Sequence, residues 1–398
     1  MDGDTLVEEL RVAGLAAGLS AVGVTSAEVL EPARSELHRR KALGLHGTMQ
    51  FTYRNPDRST DPARLVAGAR AIVVGAYAYR RAEPSTGPAS DAGTAEQEPL
   101  PHGLGHRERT GAPGAGSPGH LGRVARYAWR DHYGDLAAGL EAIADQLRQR
   151  GWTARVVLDD NALVDRAAAW RAGLGWYGKN ANILLPGAGS WFVLGGVVTD
   201  APLPPTDRIV ADGCGSCTRC LDGCPTGAIV APGVVDARRC LAWLVQAPGW
   251  IPVEFRQAVG DRLYGCDDCQ EVCPPNRVAE RRGGTPLPEQ DCQPSVDLSW
   301  LLDATDAEIL GRLGRWYIPQ RDPDHLRRNA LVVLGNNADP ADPWVLRTLY
   351  RYRRHPNPMV RAHAVWASRR LGHEIARDPD EEDPRVRAEW DHPVGSGT

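Results

Sequence analysis

Cysteine is the residue type whose spacing in this sequence most directly indicates chemistry. All nine cysteines of the 398-residue chain lie between Cys214 and Cys292. Eight of them form two runs that each end in a Cys-Pro pair, namely Cys214-x2-Cys217-x2-Cys220-x3-Cys224-Pro225 and Cys240 followed by Cys266-x2-Cys269-x3-Cys273-Pro274. A disulfide-stapled secreted protein would spread an even number of cysteines along a short chain. The clustering therefore indicates reduced thiolates that bind metal.

The spacing within these runs predicts two [4Fe–4S] clusters. The first run has the spacing of bacterial ferredoxins, in which three nearby thiolates bind one cluster and the cysteine before the proline reaches the other. By this logic the predicted ligands are, for the first cluster, Cys214, Cys217, Cys220 and Cys273, and, for the second, Cys224, Cys240, Cys266 and Cys269. Two structural zinc sites are the alternative, since four thiolates also suit tetrahedral zinc. Cys292 is left without a predicted role.

A second group of candidate residues follows a predicted strand over 153–158. Asp159 and Asp160 come directly after it. Aspartate at such a position caps a helix at least as often as it takes part in acid–base catalysis, so the spacing alone leaves both roles open. Lys179 is one of two lysines beside 44 arginines, which hints at a role that arginine performs poorly. No dinucleotide-binding or Walker glycine loop is present.

The elements that position these residues fall into an N-terminal and a cysteine-bearing part. Residues 1–205 alternate predicted helices and strands, which is typical of a layered α/β (α+β) domain. Within them, residues 82–122 are rich in Gly and Pro and poor in large aliphatic residues, which predicts a disordered insertion. Residues 206–300 carry all the cysteines and are predicted to form a ferredoxin-like iron–sulfur domain.

The C-terminal part is predicted to be helical over residues 301–375. The segments Leu326-Arg-Arg-Asn-Ala-Leu and Val360-Arg-Ala-His-Ala-Val match at a spacing of 34 residues, which is within the range of stacked helical-pair repeats and indicates a HEAT-like region. Residues 376–398 are acidic and contain proline, so we predict a loose acidic tail.

Composition and the chain start indicate a cytoplasmic protein. The formal charge is −4, with 42% hydrophobic and 24% charged residues, an ordinary soluble composition. The N-terminus MDGDTLVEEL lacks the basic start and apolar core of a signal peptide. The longest apolar stretches, around residues 71–78 and 191–199, are too short to cross a bilayer. We therefore predict a monomer that does not contact the membrane.

Several motifs together resemble the epoxyqueuosine reductase family. They are Asp159-x5-Asp165-Arg166-x5-Ala172-Gly-Leu-Gly-Trp-x-Gly-Lys-Asn, then Gly189-Ser-Trp, Cys224-Pro-Thr-Gly-Ala-Ile and Tyr264-Gly-Cys-Asp-Asp-Cys-Gln. The resemblance covers most of residues 5–280. It implies an oxidoreductase that reduces the epoxide of epoxyqueuosine in the tRNA anticodon loop to queuosine. It also implies that electrons pass through two [4Fe–4S] clusters to cobalamin in the N-terminal domain, from a donor that the sequence does not identify.

The resemblance assigns roles to individual residues. The proton-donating aspartate of the family lies six residues before an acidic-Arg pair, which corresponds here to Asp159 and leaves Asp160 as the cap. The family usually has Glu where this chain has Asp165, and the residues that follow Cys240 also depart from its pattern. The candidate cobalamin contacts are Arg58, Lys179, Asn180, Ser190 and Trp191.

An arginine-rich segment in the C-terminal part favours a nucleic-acid substrate independently. Residues 326–370 contain nine arginines, no lysine and two aspartates, and tyrosines alternate with several of these arginines, a combination suited to phosphate pairing and base stacking. A solvated helical face is the alternative. The candidate tRNA contacts are Arg327, Arg328, Arg351, Arg353, Arg354 and Arg361.

Two other functions stay open at this point. One is a reductive dehalogenase-like reductase, which would also use cobalamin and two iron–sulfur clusters but would not need an arginine-rich repeat. The other is a ferredoxin-type electron-transfer protein without its own substrate. Cobalamin in the purified protein would exclude the second of these.

Overall fold

The computed structural model describes residues 3–79, 120–206, 208–282 and 292–392. The elements of the N-terminal part are α1 (Gly3–Ala16), β1 (Ala21–Ser26), α2 (Glu31–Ala42), α3 (Phe51–Arg54), α4 (Pro56–Ser59), β2 (Ala71–Ala78), β3 (Leu121–Val124), α5 (His132–Gln149), β4 (Ala154–Leu158), α6 (Asp165–Arg171), β5 (Trp176–Tyr177), β6 (Ile183–Leu184) and β7 (Phe192–Thr199). The elements of the cysteine-bearing part are α7 (Arg219–Asp222), β8 (Ile229–Ala231), β9 (Val234–Val235), α8 (Leu241–Leu244), α9 (Val253–Val259), β10 (Arg262–Tyr264), α10 (Asp268–Glu271), α11 (Pro274–Arg281) and β11 (Ser295–Asp297). The C-terminal helices are α12 (Leu298–Asp303), α13 (Asp306–Leu313), α14 (Asp324–Asn337), α15 (Pro343–Tyr352), α16 (Pro358–Arg370) and α17 (Pro384–Ala388).

A four-stranded sheet in the order β1-β2-β7-β4 organises the N-terminal part. All three neighbouring pairs are antiparallel, and β2 is buried on both faces over its first six residues. The apolar face of α5, with Leu136, Leu140, Ile143 and Leu147, packs on one side of the sheet, whereas α6 packs on the other. The predicted layered arrangement of helices and strands is therefore present, as an antiparallel sheet with helices on both faces.

A second sheet joins the N-terminal and cysteine-bearing parts. Its strands have the order β10-β3-β11, with β3 parallel to β10 and antiparallel to β11. Because β3 begins at Leu121, the prediction of a disordered insertion is wrong for its last three residues, and His120 is already buried. The rest of that prediction, residues 82–119, lies outside the described residues.

The C-terminal helices share a core with this second sheet. The two segments that repeat at 34 residues lie in α14 and α16, and both helices are buried over most of their length. Their side chains join those of β3, β10 and α12 in one apolar cluster. Among the described residues, the structure contains no helix whose length and apolarity would allow it to cross a membrane.

The prediction of a loose tail after residue 376 is wrong for its described residues. Val386 of α17 is fully buried against α16. Glu381 forms a two-point ion pair with Arg361, with a shortest distance of 2.7 Å. Glu389 forms a buried ion pair with Arg256, also at 2.7 Å. Two of the acidic residues that suggested a solvated tail, Glu381 and Glu389, are thus partners of arginines on the body of the protein.

Candidate iron–sulfur and acid site

One group of four thiols contains Cys273 and the first three cysteines of the chain. Cys214, Cys217 and Cys220 lie at and just before α7, and Cys273 is the residue that precedes α11. Cys273 and Cys214 pack against the same apolar pair, Trp176 and Leu184. Burial raises the pKa of the Cys273 thiol to about 11, and the other three thiols of the group, which lie close enough to repel its thiolate, raise it as well.

The second group consists of Cys224, Cys240, Cys266 and Cys269. Burial raises the pKa of Cys269 well above its ordinary value, and the nearby charges of Cys266, Cys240 and Cys224 act in the same direction. Cys224 Sγ accepts a hydrogen bond of 3.2 Å from the Ala228 amide. The two Cys-Pro segments therefore exchange their last cysteine between the groups, in the pattern that the ferredoxin spacing predicts.

Neither group has the geometry of a mononuclear metal site. Four thiolates around one zinc ion lie roughly 4 Å from one another, since each Zn–S bond is about 2.3 Å long. In the part of the chain that the structure describes, no three His, Cys, Asp or Glu side chains converge in a way that could hold a single metal ion. Cys292 packs against the core that the C-terminal helices share with the second sheet.

The loop after β4 holds Asp159 in an unusual backbone conformation. Asp159 has a φ of 45°, a value that is uncommon for residues other than glycine and tends to persist where surrounding contacts impose it. Asp160 Oδ1 accepts a hydrogen bond of 2.9 Å from the Ala162 amide, so it closes a turn within this loop. The buried Ser59 hydroxyl donates to the Asn161 carbonyl at 2.6 Å, and the Val164 amide donates to the Ser59 carbonyl at 3.0 Å. Ser59, at the end of α4, therefore fastens the loop at two points.

The carboxyl of Asp159 has a raised pKa although its side chain reaches solvent. Partial burial by the surrounding protein is the largest cause, followed by the negative charges of Asp165 and Asp160. Burial also raises the pKa of Asp165, against the opposing effect of the Arg166 guanidinium. Tyr133 lies close enough that burial and the Asp159 charge together raise its pKa. This environment favours the protonated carboxylic acid, which is the form that donates a proton.

Four of the five predicted cofactor contacts lie where the sheet domain meets the cysteine-bearing part. Lys179 Nζ donates to the Gly215 carbonyl at 2.7 Å, and Asn180 Nδ2 donates to the Cys269 carbonyl at 3.3 Å. Ser190 is 4% exposed and Trp191 is 0% exposed. The prediction that Ser190 and Trp191 contact a cofactor is therefore wrong in this conformation, because neither presents a surface to one. Arg58 is exposed on α4.

Gln270 and Asn276, which the sequence analysis did not single out, complete this junction. Gln270 Nε2 donates to the Ser190 carbonyl at 3.0 Å, and Asn276 Oδ1 accepts from the Ser190 amide at 2.6 Å. A Cβ atom on Gly189 would lie 2.0 Å from Asn276 Oδ1, so only glycine allows this approach. The signals in the sequence that point to them are the family motif that ends in Gln270 and the position of Asn276 three residues after Cys273.

The predicted tRNA contacts divide into buried and exposed arginines. Arg328 is 0% exposed and donates to carbonyls of the segment 244–249. Arg327 is 7% exposed and bonded to Asp306 and Asp324. The prediction that these two bind tRNA is wrong, because their guanidinium groups are enclosed by the protein that they stabilise. Arg353 is half-buried, and Arg361 is engaged with Glu381.

The exposed arginines lie on α15 and directly after it. Arg351 is about half exposed and pairs with Asp303 at 2.6 Å. Arg354 is exposed and lies 3.9 Å above the ring of Tyr350, which is itself 55% exposed. This face of α15 therefore presents guanidinium groups and an aromatic ring to solvent.

Residues 213–276 match the family described as a 4Fe-4S double cluster binding domain. The chain is 34% identical to an epoxyqueuosine reductase of Xanthomonas campestris pv. campestris, over 90% of this chain and 94% of that protein. It is 32% identical to the epoxyqueuosine reductase of Escherichia coli, over 92% and 90% of the two chains.

Solved structures match along nearly the whole chain. An epoxyqueuosine reductase crystallised with an epoxyqueuosine-modified tRNA-Tyr stem loop superposes with a TM-score of 0.80 at 29% identity, covering 98% of both chains. A Bacillus subtilis epoxyqueuosine reductase, whose catalytic aspartate loop is swung out of the active site, superposes with a TM-score of 0.78 at 28% identity and the same coverage.

Proposed function

The chain belongs to the epoxyqueuosine reductase family and is an oxidoreductase, and from this premise we propose that it reduces the epoxide of epoxyqueuosine in the tRNA anticodon loop to the alkene of queuosine. The reaction takes up two electrons and two protons and releases one water. The observation that carries the proposal is the match along 98% of the chain to a structure that holds an epoxyqueuosine-modified stem loop. We further propose that the protein acts in the cytoplasm.

The two groups of four thiols support binding of two [4Fe–4S] clusters. We assign Cys214, Cys217, Cys220 and Cys273 to one cluster and Cys224, Cys240, Cys266 and Cys269 to the other. The match of residues 213–276 to a double-cluster domain supports this assignment. Clusters in these positions supply the electrons singly, since each undergoes one-electron steps.

The surroundings of Asp159 fit a large cofactor such as cobalamin. Tyr177, near Asp165 and Arg166, is 40% exposed, yet burial raises its pKa. Asp159 combines exposure with a raised pKa in the same way. We propose that these partly enclosed side chains line the cofactor site, since ligands usually bind in concave surfaces. When bound, cobalamin supplies the metal centre that delivers electrons to the substrate. Of the contacts predicted from sequence we retain Arg58, Lys179 and Asn180 as candidates.

Asp159 is the proposed proton donor. Its raised pKa keeps more of the carboxyl protonated near neutral pH than an ordinary aspartate would be. Two contacts from Ser59 and the turn made by Asp160 hold its loop in place, so the acid can be presented to the epoxide oxygen as the C–O bond opens. A protonated leaving oxygen avoids the cost of releasing an alkoxide into a poorly solvated site.

We propose that each part of the chain has a different role. Residues 1–205 hold the cofactor and the acid, residues 206–300 hold the clusters, and residues 301–375 form a HEAT-like region that contacts tRNA. The exposed Arg351 and Arg354 support the last assignment, since guanidinium groups pair well with phosphates.

The decisive test is the reaction itself. The purified protein, reconstituted with iron, sulfide and cobalamin and supplied with a chemical reductant, is incubated with tRNA from a strain that accumulates epoxyqueuosine. Nucleoside mass spectrometry should show loss of epoxyqueuosine and an equal gain of queuosine. Unchanged epoxyqueuosine with intact cluster absorbance and bound cobalamin would refute the proposal. A tRNA whose anticodon loop lacks the modified nucleoside serves as the control.

A further inference from the structure

Three aromatic rings from distant parts of the chain meet at the surface. Phe51 belongs to α3, Trp243 to α8 and Tyr317 to the segment after α13. The Phe51 and Tyr317 ring centroids are 5.2 Å apart, and those of Trp243 lie 5.9 Å from Phe51 and 6.3 Å from Tyr317. We call these three residues the aromatic patch.

The outer two rings of the aromatic patch are left open to solvent. Phe51 is 36% exposed and Tyr317 is 43% exposed, whereas Trp243 beneath them is 5% exposed. Single exposed apolar residues are common on protein surfaces and need no explanation. Two exposed rings that share a buried tryptophan are different, because they form a continuous apolar surface in which the Phe51 and Tyr317 rings are tilted by 58° to each other.

The aromatic patch borders the proposed site. Trp243 shares an apolar cluster with Cys240 and Met49, so the patch adjoins the second group of thiols. The Tyr317 amide donates to the Tyr264 hydroxyl at 2.8 Å. Tyr264 in turn lies two residues before Cys266, a member of the second group of thiols. The patch thus lies at the rim of the proposed site, beside the second group of thiols.

The segment that presents Tyr317 is held in a strained conformation. Gln320 and Arg321 both have left-handed backbone angles, with φ of 53° and 55°. Consecutive non-glycine residues in this region cost about 1 kcal/mol or more each and persist where other contacts impose them. Such strain is common at ligand-binding segments, and here it accompanies an exposed ring that its own neighbours do not cover.

The charge around the aromatic patch suits a polyanion. Arg54 lies one turn after Phe51 on α3, and Arg321 lies four residues after Tyr317. Both are exposed, and within the described ranges neither forms an ion pair with a carboxylate. Guanidinium groups beside flat apolar rings are the combination that binds single-stranded nucleic acid, in which bases stack on the rings and phosphates pair with the charges.

We propose that the aromatic patch is the subsite for an unpaired anticodon-loop base next to the nucleotide that is reduced. The inference rests on the proposed function and deepens it, since it names how this chain holds the loop open around its target. Phe51 and Tyr317 supply the stacking surface, Trp243 supports them from beneath, and Arg54 and Arg321 pair with the adjoining phosphates. Stacking on this rim would keep the neighbouring base out of the way of Asp159.

The test uses the holoenzyme and an anticodon stem-loop that carries 2-aminopurine beside the target nucleotide. Stacking quenches 2-aminopurine fluorescence, so binding to the unaltered protein should quench the signal. The double variant Phe51→Leu/Tyr317→Leu keeps apolar volume but removes both flat faces. It should abolish the quenching and raise Kd by roughly tenfold, in line with base–aromatic stacking elsewhere. The conservative variants Phe51→Tyr and Tyr317→Phe should retain both properties.

Controls separate this inference from its alternatives. Val12→Ala removes an exposed apolar side chain on α1 and should change neither Kd nor quenching. Unaltered Kd and quenching in the double variant would overturn the inference. It would also be overturned if RNA binding stayed normal while the double variant lost cobalamin in equilibrium dialysis, because the rings would then face the cofactor. If the unaltered protein fails to reduce epoxyqueuosine, the proposed function is wrong. If it reduces epoxyqueuosine but the double variant binds the stem-loop and quenches its fluorescence normally, only this inference is wrong.

Discussion

Asp159, the proposed proton donor, has two energetically unfavourable features. Its φ of 45° is unfavourable for a residue with a Cβ atom. Its raised pKa shows that the charged carboxylate is less stable here than in water. A loop selected only for stability would avoid both. The fastening by Ser59 and the turn made by Asp160 maintain this arrangement in the folded protein.

The first prediction concerns the pH dependence of Asp159. A proton donor works only when protonated, so kcat/KM should fall as the pH rises through its raised pKa. Asp159→Asn should keep cluster absorbance and cobalamin binding, lose roughly 100-fold or more in turnover and lack this pH-dependent decline. Single-turnover rates measured from pH 5 to 9 would show it. Near-normal turnover of the variant would assign the proton to another group.

The same substitution should leave the fold more stable at neutral pH. A carboxyl whose pKa is raised in the folded state favours folding only while protonated, so this contribution is lost as the pH rises above the unfolded pKa. Asparagine carries no charge and tolerates positive φ better than most residues. Asp159→Asn should therefore raise Tm at pH 8 and have a smaller effect at pH 4. A lower Tm at pH 8 would contradict the account of this loop.

Local constraints explain which functional residues could be predicted from the sequence. Three ligands of one cluster must lie on a short loop, so their spacing is visible in the chain, and the proline after Cys224 and Cys273 marks the exchange of ligands. Burial leaves no comparable trace. Ser190 and Trp191 stand in a recognisable motif, yet both are interior residues. Gln270 and Asn276 bond to Ser190 from a segment about eighty residues away, and Tyr79 and Arg126 pack against the Trp191 ring.

At the scale of elements, α14 and α15 divide the arginines between structure and surface. α14 is buried over most of its length, and Arg328 at its centre donates to the carbonyls of Leu244, Val245 and Ala247. α15 has one buried face, whereas Tyr350 lies on its exposed face and Arg354 is exposed just after its end. Both helices contain two arginines, so the packing of the helices, rather than their arginine content, separates the two roles.

Two arginine variants should therefore differ in what they change. Arg354→Ala should weaken stem-loop binding and reduce the slope of log Kd against log salt by about 1, with a change in unfolding free energy within about 0.5 kcal/mol. Arg328→Ala should instead cost roughly 3 kcal/mol or more, because several buried carbonyls lose their donor. Urea unfolding and salt-dependent binding measure the two effects. An unchanged stability of Arg328→Ala would contradict the structural role.

The helices and the main strands follow from local periodicity, whereas the pairing of β3 does not. Its four residues close a long insertion in the sequence, yet β3 lies between β10 and β11, which are more than 130 residues further along the chain. A short strand without a strong alternating pattern takes its identity from its partners. The boundary that the sequence predicted near residue 205 is accordingly crossed by a shared sheet.

At the scale of the whole molecule, the C-terminal segment closes the structure onto the cysteine-bearing part. Arg256 on α9 and Glu389 after α17 are 3% and 4% exposed, and two hydrogen bonds of 2.7 and 2.8 Å join them. Arg256 also lies 5.7 Å from the centre of the Trp366 ring on α16. The last described residues thus connect α16 with the helix that leads into β10, rather than extending into solvent.

A pair of substitutions two residues apart tests this closure. Glu389→Gln leaves Arg256 charged and buried without its partner, which typically costs about 3–5 kcal/mol. Asp391→Asn removes an equally acidic residue whose partner, Arg377, is as exposed as it is, at 64% and 65%, and such surface pairs contribute about 1 kcal/mol or less. Urea unfolding should therefore show a large loss for the first variant and almost none for the second. Equal losses would mean that the segment contributes only its surface charge, as a loose tail would. The core beneath α16 is continuous with β10, the strand that ends just before Cys266. The Glu389 variant should therefore also lose iron earlier than the Asp391 variant during a thermal ramp.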